Sequence, residues 1–349
     1  MFFASDNAGR VHPQIMDAVM RANEGYASGY GADPIMDTVR AQLRDIFEAP
    51  EAAVYLVING TSANSLLLAT MTQPWETIFC SDCAHIHEDE CNAPEFFSGG
   101  AKLTLVPSTH GKITPQDLRA RIEAEQTRGV HGPQRGPLSL TSVTEKGTIY
   151  TVAELEALTA VAREFGLPTH LDGARFANAM VALGCTPAEM TWKAGIDAVS
   201  FGATKNGAMG VEACIIFDPK RAWEFELRRK RGGHLLSKHR YLSAQMAGYL
   251  QDDLWRDLAA RANATCARLA QGVAAYANAT MLHPTEANII FFHMPRRDHK
   301  RMLDAGAVYY AMDGDAHSGD PDALLTGRLV CDWAMTEEGV DAFVTLLHG

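Results

Sequence analysis

The most reactive-looking feature of this chain is a lysine framed by small residues: Lys205, in Ser200-Phe201-Gly202-Ala203-Thr204-Lys205-Asn206-Gly207. Withdrawn from water, a lysine loses proton affinity and becomes an amine able to form a Schiff base with an aldehyde. Earlier in the chain, Asp172 closes the run Thr169-His170-Leu171 and precedes Gly173-Ala174-Arg175. Ligands of open α/β sheets bind beyond the C-terminal ends of strands, and a carboxylate there can hold a protonated pyridine nitrogen. Asn59-Gly60-Thr61-Ser62 joins an aliphatic run to a helical one, so its amides and hydroxyls form an anion site suited to phosphate. His85 follows a further strand-like run and offers an imidazole that can lie flat on an aromatic ring. Singly, these residues read as a surface lysine, a strand-end turn and a polar helix cap. Jointly they are far more specific.

Aldehyde, pyridine and phosphate are the groups of pyridoxal 5′-phosphate (PLP). The phosphate turn, the aspartate and the lysine come in the order of a fold-type-I PLP enzyme. Cys80, Cys83, His85, His87 and Cys91 also invite a zinc reading. However, Cys80 finishes a core strand and no second ligand pair follows, so no metal is expected. Asp313, Asp315, Asp320 and Asp322 hint at calcium, but Gly319 does not sit where an EF-hand loop turns. They read as a solvated acidic loop.

These side chains need a scaffold, and the hydrophobic pattern supplies one. Ala53–Val57, 77–80, Lys102–Val106, 138–141, 169–172 and 198–201 read as strands. Residues 65–71, 115–126 and 152–165 read as helices, the last stopping at Gly166. Alternation of this kind predicts an α/β fold with a mainly parallel sheet. After about residue 240 the composition shifts: a helical stretch, 245–276, leads into extended runs at 288–293 and 327–330. The expected organisation is an N-terminal arm and large cofactor domain over 1–244, then a smaller C-terminal α+β domain over 245–349.

Composition narrows the class further. The net charge of −11, from 31 basic and 42 acidic residues, argues against nucleic acid or an anionic membrane as partner. No apolar run approaches the roughly 18 residues of a membrane span, and Met1-Phe2-Phe3-Ala4 lacks a signal-peptide pattern. Seven scattered cysteines read as reduced thiols, which predicts a cytoplasmic protein.

From Ser5-Asp6 to Arg328, the chain resembles the L-threonine aldolase family of the aspartate-aminotransferase superfamily. The resemblance rests on Tyr30-Gly31-Ala32-Asp33-Pro34, Gly60-Thr61, His85, His131 before Leu138-Ser139-Leu140, Leu171-Asp172-Gly173-Ala174-Arg175, Lys205 and Gly327-Arg328-Leu329-Val330. It implies that Lys205 carries PLP covalently, Asp172 holds the pyridine nitrogen and His85 stacks on the ring. It implies phosphate contacts from Gly60, Thr61 and Ser62, and a substrate carboxylate bound by Arg175 and Arg328 with Ser5 close by. Tyr30 would reach a neighbouring subunit's site. The basic segment 228–238, with Arg231 and Lys238 as candidates, would supply a phosphate contact from a partner. His131 matches a second active-site histidine near the substrate hydroxyl. Two departures mark a distinct branch: Thr141-Ser142-Val143-Thr144-Glu145 replaces a Glu-Asn-Thr-His pattern, and Thr204-Lys205-Asn206 replaces Ser-Lys-Gly.

The implied activity is cleavage of an L-β-hydroxy-α-amino acid, L-threonine or L-allo-threonine, into glycine and an aldehyde by a homo-oligomer (dimer or tetramer) with shared sites. His85, His131 or an ordered water would take the hydroxyl proton, since an imidazole titrates near neutrality. An aldolase for phenylserine is the nearest alternative. A transaminase or β-eliminating enzyme of the same fold comes next, and a catalytically silent PLP-fold binding protein stands furthest away.

Overall fold

The computed structural model describes residues 1–349. Seven strands form the main sheet in the spatial order Ala53–Val57, Glu212–Ile216, Ala198–Gly202, Thr169–Gly173, Gln134–Thr141, Glu76–Ser81 and Lys102–Val106. Neighbours run parallel, except that Glu212–Ile216 is antiparallel to both of its partners. The fold is therefore α/β with a mainly parallel sheet, as the pattern predicts. A sheet covered on both faces reads as continuous apolar runs, and Ala53–Val57 and Ala198–Gly202 are buried at every position.

Side chains alternate between two cores. Val54, Leu56, Leu140, Leu171 and Val199 face the larger one. Tyr55, Val57, Cys214 and Ile216 pack instead on Leu66 and Leu67 of the helix Gly60–Met71. That helix is buried over nearly its whole surface, so it seats its N-terminus firmly at the sheet edge. At the same edge, glycines let two loops cross. A side-chain carbon at Gly173 would lie 2.4 Å from the Ser200 carbonyl oxygen, and one at Gly202 would lie 2.5 Å from that of Ala174.

A second, four-stranded antiparallel sheet holds Thr280–Met281, Ile289–Pro295, Leu324–Val330 and Tyr310–Met312 over a core of Phe292, Met294, Leu329 and Phe343. The helical stretch expected over 245–276 is two helices, Arg240–Leu250 and Leu254–Ala274. Asp252 and Asp253, with φ of 56° and 55°, break the path between them. Leu254–Ala274 serves both cores, giving Leu254, Trp255 and Leu258 to the larger and Cys266, Leu269 and Val273 to the smaller. The proposed division between residues 244 and 245 falls inside Arg240–Leu250.

The N-terminus is stitched to the small sheet, where the Phe3 amide donates to the Val308 carbonyl at 2.7 Å and the Val330 amide donates to the Phe3 carbonyl at 2.8 Å. This brings Ser5, Asp6 and Asn7 to the strand ends of the large sheet. No helix is long and apolar enough to cross a membrane.

Candidate active site

The anion turn is built by a cap. The Asn59 carboxamide oxygen accepts the Ser62 amide at 2.8 Å, and the Ser62 hydroxyl donates back to the Asn59 carbonyl at 2.9 Å. Ser62 is thus engaged within the cap. Gly60 and Thr61, with first-turn amides that have no intrahelical partner, line a cavity of about 280 Å³. A side-chain carbon at Gly60 would meet nothing within 4 Å, so the backbone there is open to a ligand.

Asp172 reaches the same cavity from the end of its strand. Its Oδ1 accepts the Ala174 amide at 2.9 Å, and its Oδ2 accepts the Asn64 carboxamide at 2.8 Å. Asn64 is fixed in turn by Ser200, whose hydroxyl donates to its Oδ1 at 2.9 Å. Burial of a carboxylate is tolerable only with donors of this kind. Each oxygen keeps a lone pair for one further donor.

Lys205 lies in a single turn after the strand Ala198–Gly202 and lines the same cavity. Burial, and then the nearby Arg175 charge, hold its ammonium below the usual lysine range. Arg175 is itself clamped by Asp6 in a two-pronged pair, Nε to Oδ2 at 2.6 Å and Nη2 to Oδ1 at 2.9 Å. Burial works against Asp6, yet Arg175 keeps its carboxyl below the ordinary aspartate range. Arg328 faces the same charges, Arg175 and Asp6, and burial lowers it first. Unlike Arg175, it donates to no protein group; its guanidinium lies 5.9 Å from the Tyr310 ring centroid. Ser5 caps the short turn carrying Asp6, accepting the Asn7 amide at 3.1 Å.

His85 begins a one-turn helix and is held from two sides. Glu145 Oε1 accepts its backbone amide at 2.8 Å, and Glu90 Oε1 lies 2.8 Å from its Nδ1. With Nδ1 donating to Glu90, Nε2 is the nitrogen left for a ligand. The Glu90 bond, offset by burial and helped by Asp172, raises His85 above an ordinary histidine, while burial raises Glu90 and Glu145. Glu90 Oε2 and Glu145 Oε2 are buried without a partner. Cys80 stays in the strand core, Cys83 bonds Ser81 at 3.2 Å, and Cys91 is exposed.

Other expected site residues lie elsewhere. His131 ends an exposed turn just ahead of Gln134–Thr141. The far end of that strand, Thr141, pairs with Asp172. Eight residues of strand at roughly 3.3 Å each separate the two ends, so within this chain His131 lies at the opposite end of the strand from Asp172. Tyr30, Arg231 and Lys238 do not reach the cavity within this chain either. Exposed Tyr30 lies under Lys230, 4.7 Å from ring centroid to Nζ, and its amide donates to the Ser237 carbonyl. Arg231 borders a separate groove between Phe96 and Leu227.

Sequence reasoning missed Asp6 as a partner of Arg175, and with it Asn64, Glu90, Glu145 and Glu212. The signals were present. Asn64 interrupts an apolar helix, Glu90 follows His85 by just over one turn, and Glu212 opens the apolar run Ala213-Cys214-Ile215-Ile216.

The profile of the beta-eliminating lyase family matches residues 3–295. A low specificity L-threonine aldolase of a Pseudomonas species is 39% identical over 338 residues, 97% of this chain and 94% of the relative. The low specificity L-threonine aldolase of Saccharomyces cerevisiae is 26% identical, over 85% of this chain and 75% of its own. Among solved structures, threonine aldolase of Leishmania major superposes with a TM-score of 0.91 at 28% identity, covering 99% of this chain and 98% of that one. Serine palmitoyltransferase of Sphingomonas wittichii shares the fold at a TM-score of 0.72 and 16% identity, over 100% and 86% of the two chains.

Proposed function

The chain belongs to the beta-eliminating lyase family, and from that premise we propose that it splits L-threonine or L-allo-threonine into glycine and an aldehyde, with PLP held at Lys205. The observation that carries this reading is the meeting of Lys205, Asp172, His85 and the Gly60-Thr61 turn around one cavity. These groups fit the cofactor part by part. A partly desolvated lysine suits its aldehyde, a buried carboxylate with free lone pairs suits its ring nitrogen, and helix-terminal amides suit its phosphate. PLP, when bound, supplies an electron sink for the charge left on Cα as the Cα–Cβ bond breaks.

The remaining tasks fall to the chain's own side chains. Arg328, free of protein partners, grips the substrate carboxylate, and a two-pronged grip orients the bond to be broken. Arg175, fixed by Asp6, adds its charge at the same end and anchors the Ser5-Asp6-Asn7 segment beside it. His85 takes the β-hydroxyl proton at Nε2, because Nδ1 is engaged with Glu90. Asp172 is positioned between Asn64 and Ala174, each donating to one of its oxygens. Tyr30, Arg231 and Lys238 are contributions to a second copy's site in a homo-oligomer. A cytoplasmic setting agrees with seven free cysteines.

Product analysis tests the reaction class. L-Threonine or L-allo-threonine should yield glycine and acetaldehyde in equal amounts. A 2-oxo acid without glycine would move the chain to a transaminase or an eliminating lyase, and cleavage confined to L-phenylserine would reassign its substrate.

A further inference from the structure

Glu212 opens the one antiparallel strand of the main sheet, wedged between Val57 on one side and Gly202 on the other. It is 5% exposed, and the rest of its strand is apolar. A carboxylate in such a place is destabilising unless something answers it. Its Oε2 accepts the Ala203 amide at 2.9 Å, two residues before Lys205, and its side chain lines the same cavity as Lys205 and Thr204. The Thr204 hydroxyl bonds it as well; these neutral donors do not account for a buried acid, because a neutral carboxamide accepts them equally well.

The charges around Lys205 show what else it answers. Facing the lysine are Arg175 after the Asp172 strand, Asp6 from the N-terminal segment, Asp172 itself, Glu212 and His85. Asp6 is clamped to Arg175, and Asp172 is held by Asn64 and Ala174. Facing Glu212, the charged groups are Lys205 and Asp172, and the neutral titratable groups are the Tyr249 hydroxyl and the Cys214 thiol. We propose that Glu212 is a positioning residue for Lys205, clamping the turn at Ala203 and supplying the countercharge against which the lysine gives up its proton. Burial pushes the Glu212 carboxyl up to about 7, so this countercharge switches on near neutrality. The inference deepens the reading of Lys205 as the cofactor lysine and rests on it.

Glu212→Gln keeps the acceptor for Ala203 and removes the charge, so it separates the two roles. The test is labelling of Lys205 by an amine-reactive anhydride across a pH series, on the full chain stripped of cofactor, read by peptide mass spectrometry. Without the countercharge the neutral amine is more abundant. Glu212→Gln should therefore label severalfold faster than the native chain above about pH 7, and the two should converge below about pH 6, where Glu212 is itself protonated. Glu212→Asp should label like the native chain. In the PLP-loaded protein, the pH midpoint of the visible absorbance band should move down in Glu212→Gln. A folded Glu212→Gln with native labelling rates at every pH would overturn the proposal. If that variant does not fold, the native chain decides: its labelling profile should bend near neutrality, and a single slope through that range would also overturn it. Borohydride trapping on another lysine would remove the cofactor reading without altering the labelling result, so the two failures are distinguishable.

Discussion

Asp172 accepts one donor on each oxygen, from Ala174 and Asn64. An asparagine there fits the same space but cannot keep a ring nitrogen protonated. Asp172→Asn should cut kcat by roughly 10²-fold or more, the scale seen when one transition-state charge partner is lost, with KM little changed. Steady-state kinetics on L-threonine checks this, and a near-native kcat would make Asp172 structural. His85 gives a pH prediction. Its bond to Glu90 raises it, and a base must be neutral to accept a proton, so activity should rise with pH through that raised value. Glu90→Gln removes the cause. The acid limb of the kcat/KM profile should then move to lower pH; a shift upward, or none, would detach Glu90 from His85. The stability linkage runs the other way: what the raised His85 contributes is fully present below its unfolded value and is lost as pH rises through the folded value.

At the scale of the element, the site depends on two crossing loops and one helix end. Gly173→Ala would press a methyl group into the Ser200 carbonyl at 2.4 Å. Overpacking of this kind costs about 1–3 kcal/mol, and it should also displace Asp172, so thermal denaturation and PLP retention should fall together. Asn59→Ala removes the cap of Gly60–Met71 and should cost about 1 kcal/mol. The strands that carry Asp172 and Lys205 were legible in the sequence because parallel strands are uninterrupted apolar runs, and the Gly60 turn was legible because caps have a distinct chemistry. Glu212–Ile216 was not, since a carboxylate at its first position masks a buried strand until the fold shows what the carboxylate meets. For His131, nearness in sequence to Leu138-Ser139-Leu140 says nothing about which end of the strand it occupies within the chain. The Asp6–Arg175 pair joins residues 169 positions apart, a distance over which local pattern has no reach.

At the scale of the whole molecule, the proposed function assigns part of each site to a second copy. Exposed Tyr30, whose amide donates to the Ser237 carbonyl, lies beside exposed Lys238, and neither lines the cavity their family role would serve. Two-fold pairing would present that surface to a second copy's site and the reverse. Mixing Lys205→Ala chains with Tyr30→Ala chains should then restore part of the activity that each lacks alone, because one hybrid site carries neither lesion. Proven mixed dimers without recovery would place each site within a single chain. Whether PLP is held at Lys205 is read out by borohydride reduction of the PLP-loaded protein followed by peptide mapping. A reduced pyridoxyl group should appear on the peptide containing Lys205 and be absent from Lys205→Ala. A pyridoxyl group on a different lysine, or retained in the variant, would contradict that assignment.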